Sequence, residues 1–320
     1  MKEVKKAVTH LPPRHLDDFL AVASLKLKHP NAEVEFVHPQ KVPAEYYERN
    51  DVVLIDVGGV FDPHKRNYDH HQNTALPSSL CMVLENELED LKSFLKLKTV
   101  KTIDGIDRFG FKWAEREGLV IPNERSDEMR RTILAVDLNQ AGVLVGSSAV
   151  RVLRLMELGQ VKDDFNEFVK RLYETLDEQN LLEEAKEKIK KEKREFEEKL
   201  KRAKVVSLPE GTKVLITTET LAPRHGEVFA MGYDVIIERN SMNDEHTSVV
   251  INTASERAKR FNVKELVEGK FVVFRHPTGF ITVVNQRVED FVLEFLGKKP
   301  IKTLKLVELM PKVSKFSRRF

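Results

Sequence analysis

Residues 51–72 read DVVLIDVGGVFDPHKRNYDHHQ, and the rest of the chain is best understood outward from them. The stretch opens on a near-continuous apolar run, Val52 to Ile55, stopped by Gly58–Gly59. Such a run fits a strand buried on both faces of a parallel sheet; a half-exposed strand would alternate. Upstream, KKAVTH (5–10) reads as a strand ending at His10, and AEVEFVH (32–38) as another. Between them, LDDFLAVASLKLK sets Leu16, Phe19, Leu20, Ala23 and Leu27 at helical spacing. Strands alternating with helices indicate an α/β open sheet.

Downstream, residues from about Leu80 to Lys204 are mostly helical in pattern. The last part, LLEEAKEKIKKEKREFEEKLKRAK, is dense in Glu/Lys pairs one turn apart, with a thin apolar stripe of Ala185, Ile189, Phe196, Leu200 and Ala203. It reads as a solvated helix joining two domains. Strand signals return after Leu208–Pro209 in KVLITTE, YDVIIER, TSVVINT and KFVVFRH, and RVEDFVLEFL is helical. The expected organisation is a parallel-sheet α/β domain over residues 1–180, a charged helical linker over 181–205, and a second, smaller α/β domain over 206–320.

Composition narrows the class. The chain has 320 residues, 41% apolar and 32% charged, with 14 Gly and 13 Pro, which excludes collagen-like, low-complexity and wholly disordered proteins. No apolar run approaches the roughly 20 residues of a membrane-spanning helix, and the first residues lack the apolar stretch of a secretory signal. A single cysteine, Cys81, cannot form an internal disulfide or a thiolate zinc cage. A cytoplasmic protein without membrane contact is expected. The formal charge of +2 gives no case for a nucleic-acid coat protein.

Seven of the ten histidines, from His10 to His71, fall in the first 71 residues. Imidazole is the commonest metal ligand, so this clustering points to a site. His29 and His38 have no acidic neighbour in a patterned context and read as ordinary surface residues. Four local groups stand out, each expected at a strand end or in the loop after it: His10-x4-His15-x-Asp17-Asp18, Asp56 with Val57-Gly58-Gly59, Asp69-His70-His71-Gln72, and Asp104-Gly105-Ile106-Asp107. The first two should lie at the carboxyl ends of strands, where open α/β sheets bind ligands. Taken singly, each has an ordinary explanation: helix-start residues, a turn-forming Asp, a cap. Four in one domain argue for a site. Imidazole and carboxylate without thiolate suit Mn²⁺, Mg²⁺, Fe²⁺ or Zn²⁺, and the carboxylates suffice for a two-metal site with one Asp bridging.

At these residues the chain resembles the DHH phosphoesterase superfamily. Within it, DVGGVFDPHKRNYDHHQ is similar to the signature of the melanocyte-proliferating-gene exonuclease family: a strand ending in Asp-Val-Gly-Gly, an aromatic, Asp-Pro, and Tyr-Asp-His-His-Gln. His10, His15 and Asp17 match its opening motif, and Asp104-Gly-Ile-Asp107 its Asp-x-Ile-Asp. LITTETLAPRHGEVF and FRHPTGFITVVNQRVEDFVLEFL resemble segments of its second domain, so the likeness is expected to cover most of the chain. The chain departs from the pattern at Leu11-Pro12-Pro13-Arg14, which stiffens the first loop and adds a cation, and at Asp18, where the family tends to have Glu.

The resemblance implies a DHH-type catalytic domain with a substrate-binding domain behind it. It implies that His10 and His15 serve one metal and Asp17 the other, that Asp56 bridges, and that His70 and Asp104 complete the second site, with Asp107 as the fallback. His71 would face the scissile phosphate, and Asp69 would orient a neighbouring histidine. Arg275, His276 and Gly279 would meet a nucleotide strand, with Arg14 as a further anion contact. Phe280 could stack on a base or fill the core, and His225 could touch substrate or cap a helix. The function expected is a metal-dependent phosphodiesterase using a two-metal-activated water, Mn²⁺ before Mg²⁺. As a 3′-to-5′ exonuclease it would act on short or single-stranded RNA or DNA, as a monomer or homodimer. The alternatives are hydrolysis of pyrophosphate, polyphosphate or cyclic dinucleotides, for which Arg14 and Arg275 could clamp small anions, or a non-catalytic nucleotide sensor.

Overall fold

The computed structural model describes residues 3–11, 14–73, 75–208, 211–222, 224–258, 263–267, 271–275, 279–298 and 302–304. The chain divides into two compact units, Met1–Lys190 and Lys191–Phe320.

The first unit is an α/β structure on a five-stranded sheet. Its strands are β1 (Lys6–His10), β2 (Glu33–Val37), β3 (Val52–Ile55), β4 (Phe61–Asp62) and β5 (Asn67–Tyr68), in the order β2-β1-β3-β5-β4. All neighbours are parallel except β4 with β5. The register sets Val8 beside Leu54 and Ile55 beside Tyr68, so the ends of β1, β3 and β5 share one edge. Helix α1 (Leu16–Lys28) spans the spacing read from the sequence and crosses from β1 to β2. Then follow α2 (Ser79–Asn86), α3 (Lys98–Phe109), α4 (Phe111–Arg116), α5 (Glu124–Leu134), α6 (Leu138–Glu157) and α7 (Phe165–Glu178).

The apolar run in β3 is explained by two cores. Val53 and Ile55 face the helical core with Phe19, Leu20, Val145 and Phe168. Val52 and Leu54 face the other side with Val8, Val37 and Tyr46. Each fully buried branched side chain contributes roughly 1.5–3 kcal/mol by leaving water, so a polar residue anywhere in Val52–Ile55 would be costly. The second face is covered by a 3-10 turn at Ala44–Glu48, and among the described residues no α-helix contributes to that core.

Helix α8 (Glu183–Arg202) contains the division between the units. The stripe along it has a packing role at both ends. Ala185 joins the core of the first unit, whereas Phe196 and Leu200 join a core of the second. The expected solvated connector is thus built into the cores at its ends. Lys204 and Val205, read as the end of the 181–205 linker, instead open a strand.

The second unit carries β6 (Lys204–Ser207), β7 (Lys213–Ile216), α9 (His225–Ala230), β8 (Val235–Arg239), β9 (Thr247–Ile251), α10 (Val263–Leu266), β10 (Val272–Arg275), β11 (Ile281–Val284), α11 (Val288–Lys298) and β12 (Lys302–Leu304). The seven strands run β10-β11-β9-β8-β7-β6-β12, with only β7 and β8 parallel. Val214 and Ile216 pack with Phe291 on one face, and Leu215 packs with Phe196 and Val228 on the other. No helix among the described residues is long and apolar enough to cross a membrane.

Candidate metal centre

The site grows from three strand ends and two helices of the first unit. His10 is the last residue of β1. Asp56 follows β3 with φ 60°, in the left-handed region that few residues other than Gly, Asn and Asp adopt. Holding it there costs of order 1–3 kcal/mol, and such strain gathers where function fixes a side chain. The chain then reverses through Gly58, where a methyl would sit 2.9 Å from Asn67 Nδ2. Asp69 and His70 follow β5, and Asp17 lies in the first turn of α1.

The side chains converge on Asp56. His10 Nε2 lies 3.4 Å from Asp56 Oδ2, and His70 Nε2 lies 3.2 Å from Asp56 Oδ1. Asp107, from α3, reaches His70 Nε2 at 2.8 Å and His15 Nδ1 at 3.1 Å. Three overlapping groups each offer one ligand atom per residue, with these atoms within 4.8 Å of one another: His10, His15 and Asp56; Asp17, Asp56, His70 and Asp107; Asp56, His70 and His71. Asp56 is common to all three.

Six buried polar atoms here have no hydrogen-bond partner: His10 Nε2, both Asp17 oxygens, Asp56 Oδ2, His70 Nε2 and Asp107 Oδ2. Imidazole nitrogens face carboxylate oxygens at 2.8–3.4 Å without hydrogen-bond alignment, and the two Asp17 oxygens face further acceptors with no partner. Burial of unpaired acceptors costs about 1–3 kcal/mol each, and a cation is the simplest group that relieves all of them. His10 Nδ1 donates to the Leu11 carbonyl at 2.7 Å, which leaves Nε2 with the lone pair a metal needs. The donors are imidazole and carboxylate only, suited to Mn²⁺, Mg²⁺, Fe²⁺ or Zn²⁺. These residues therefore fit divalent ions.

The electrostatics show the same demand. Burial, and then the charges of Asp107, Asp56 and Asp18, push the Asp17 carboxyl well above its usual range. Burial disfavours a charged His10, but the carboxylates of Asp56 and Asp18 outweigh it and push its pKa up to about 9. His70 is pushed up to about 10 in the same way: burial opposes charging, and Asp107 and Asp56 overcome it. Burial also opposes ionisation of Asp107, yet the facing His15 and His70 hold it down to about 2. In the absence of an ion, protons on the histidines stand in for metal charge.

The fourth sequence group is not in a loop. Asp104 and Asp107 lie on α3, three residues apart, and face different neighbours. Asp104 stays out of the cluster: its Oδ1 accepts from the Ser78 backbone N–H at 2.6 Å and its Oδ2 from Arg108 at 2.9 Å. Asp69 accepts from Gly59 N at 2.7 Å and holds His71 Nδ1 at 2.8 Å, while the His71 side chain is 60% exposed. That hydrogen bond to Asp69 raises the His71 pKa. Arg14 spends one N–H on the Val136 carbonyl and stacks over Phe36 at 4.5 Å.

Two contributors had no role assigned from the sequence. Asp18, placed in the first group and noted as a departure, accepts from His15 N and Thr9 Oγ1 and so ties α1 to the end of β1. Ser79 Oγ lies 3.2 Å from Asp56 Oδ1. A Ser-Ser pair opening a helix is too common to announce such a contact.

In the second unit, Arg275 is exposed at the end of β10, and Gly279 has φ 76°. His276 lies outside the described residues. His225 Nε2 meets the buried Glu238 at 2.7 Å, so its ring is held by a carboxylate, and Arg224 takes the cap position of α9.

An α/β sheet with clustered His and Asp side chains able to chelate a divalent ion at its strand ends defines the class, and it is consistent with phosphoesterase-like chemistry in general. Residues 6–79 match the family labelled MYG1_exonuc and described as "Uncharacterised protein family (UPF0160)". A curated relative, MYG1 exonuclease of Bos taurus, is 41% identical over 69 residues, 21% of this chain and 16% of the relative. The family match takes in the loops of His10, Asp56 and His70 and ends at Ser79, short of Asp107 and of the second unit.

Proposed function

We propose that the chain is a metal-dependent phosphodiesterase of the DHH type, acting as a 3′-to-5′ exonuclease on short or single-stranded RNA or DNA with two divalent ions, Mn²⁺ before Mg²⁺. The observation that carries this reading is the set of six buried polar atoms without hydrogen-bond partners around Asp56, five of them within the stretch that matches the MYG1_exonuc family. His10, His15 and Asp56 hold one ion, and Asp17, Asp56, His70 and Asp107 the other, with Asp107 in the role the motif assigned to Asp104. Bound ions supply positive charge for the phosphoryl oxygens and lower the pKa of a water poised for in-line attack.

The chain's own groups do the rest. Asp69 anchors His71 through Nδ1 and raises its pKa, which favours the doubly protonated ring whose Nε2 would donate to a non-bridging phosphate oxygen. Arg275 offers a guanidinium that grips phosphate through two hydrogen bonds, and Gly279 lets backbone approach it closely. Arg14, fixed by Val136 and Phe36, contributes a stationary positive charge rather than a mobile clamp.

The test is turnover of end-labelled RNA and DNA oligomers, pyrophosphate and a cyclic dinucleotide, each with Mn²⁺ and Mg²⁺. Stepwise shortening from the 3′ end, lost on chelation and in Asp56→Asn, is expected. Turnover confined to pyrophosphate or the cyclic dinucleotide would replace the substrate, and absence of both turnover and Mn²⁺ uptake would refute the reading.

A further inference from the structure

The start of α2 is tied to the bridging carboxylate in a way the proposed chemistry does not use. Ser79 is fully buried, and its hydroxyl lies 2.8 Å from the Tyr68 carbonyl and 3.2 Å from Asp56 Oδ1. The Tyr68 carbonyl also accepts the backbone N–H of Asp56 at 3.1 Å. One residue thus touches both the backbone anchor and the side chain of Asp56. Ser78, the residue before it, donates its backbone N–H to Asp104, which Arg108 holds from the other side.

We infer that Ser79 is a positioning residue that fixes the rotation of the Asp56 carboxylate for two ions, with Asp104 and Arg108 bracing the start of its helix. This rests on the proposed metal centre. The single Ser79 proton is shared between the Tyr68 carbonyl at 2.8 Å and Oδ1 at 3.2 Å, while Oδ2 has no hydrogen-bond partner. A carboxylate that must face two ions gains from such a contact, because free rotation about its last bond would let either oxygen swing away. The same logic gives Asp104 a use outside the cluster: its two oxygens are spent on Ser78 and Arg108, so it holds the helix that holds Asp56. Loss of the hydroxyl leaves the Tyr68 carbonyl with its Asp56 N–H partner, so the fold has little to lose.

The experiment measures Mn²⁺ uptake by electron paramagnetic resonance on the full chain, beside thermal unfolding without metal and kcat against Mn²⁺ concentration. Ser79→Ala is expected to melt like wild type without metal and to bind Mn²⁺ 10–100-fold more weakly, the range typical of lost outer-shell partners. Its kcat should recover at saturating Mn²⁺. Ser79→Thr and Ser79→Val have the same shape and differ in the hydroxyl, so any strain from the added methyl cancels between them. Thr binding Mn²⁺ at least tenfold more tightly than Val supports the inference even if Ala unfolds. Equal affinity in Thr and Val overturns it. If wild type itself takes up no Mn²⁺, the metal centre fails first.

Discussion

Helix α6 crosses α1 at Gly146, where a methyl would lie 2.2 Å from the Ala23 carbonyl oxygen and 2.8 Å from its carbon. Both are backbone atoms, so no side chain can swing aside. Restoring ordinary van der Waals contact needs the helices to part by roughly 1 Å. Gly146→Ala should therefore cost about 1–3 kcal/mol in overpacking, offset by about 0.5–1 kcal/mol from the better helix former. For a unit of this size the net loss, up to about 2.5 kcal/mol, lowers the melting temperature by up to about 10 °C. Gly142, one turn earlier, meets Lys26 with Cγ at 3.1 Å, a side chain rather than backbone, whose Nζ is held by the Pro30 and Ala32 carbonyls and which must give by a few tenths of an ångström. Gly142→Ala should therefore lower the melting temperature less than Gly146→Ala. Trp113, the one tryptophan, packs over Gly105 in the first unit, so its fluorescence reads the correct transition on the metal-free chain. Because α1 carries Asp17 and Asp18, Gly146→Ala should also weaken Mn²⁺ binding. A Gly146→Ala protein as stable as Gly142→Ala would refute the close-crossing argument.

The remaining predictions concern the centre itself. Asp107→Asn should weaken Mn²⁺ uptake by more than 100-fold, beyond the about 10–100-fold expected when an outer residue such as Asp104 becomes Asn; calorimetric titration of both variants checks it, and the reverse order would return the ligand role to Asp104. Metal uptake should release protons and tighten as pH rises, because His10 and His70 titrate at about 9 and about 10 without metal and bind ions only when deprotonated. Calorimetry in two buffers of different ionisation enthalpy measures that release, and an affinity independent of pH between neutrality and about 9 would contradict it.

Much of this was legible in the sequence wherever a pattern is local. The apolar positions of Leu16–Lys28 fix a helix, and Val52–Ile55 followed by two glycines fixes a buried strand end. Asp104 and Asp107 were visible as alternatives, with Asp107 the fallback, but not as residues of one helix. Three residues apart, they share a helix face one turn from each other, so spacing alone does not decide between them, and which one meets His70 depends on how α3 packs. β5, two residues long, has no pattern of its own and exists because it pairs with β3. Ser79 was out of reach for the same reason: its importance lies in a contact across 23 positions of sequence.

The left-handed backbone at Asp56 carries an evolutionary consequence. Two demands meet on one residue: a dihedral that Gly, Asn and Asp tolerate, and a short carboxylate that only Asp supplies. Gly and Asn keep the turn and discard the charge, and Glu keeps the charge but fits the turn poorly and overshoots by a methylene. Every single substitution breaks one demand or the other, so the position offers drift no neutral exit. A lineage that abandons this centre would be expected to keep Asn or Gly there as a scar, with the turn outliving the chemistry that shaped it.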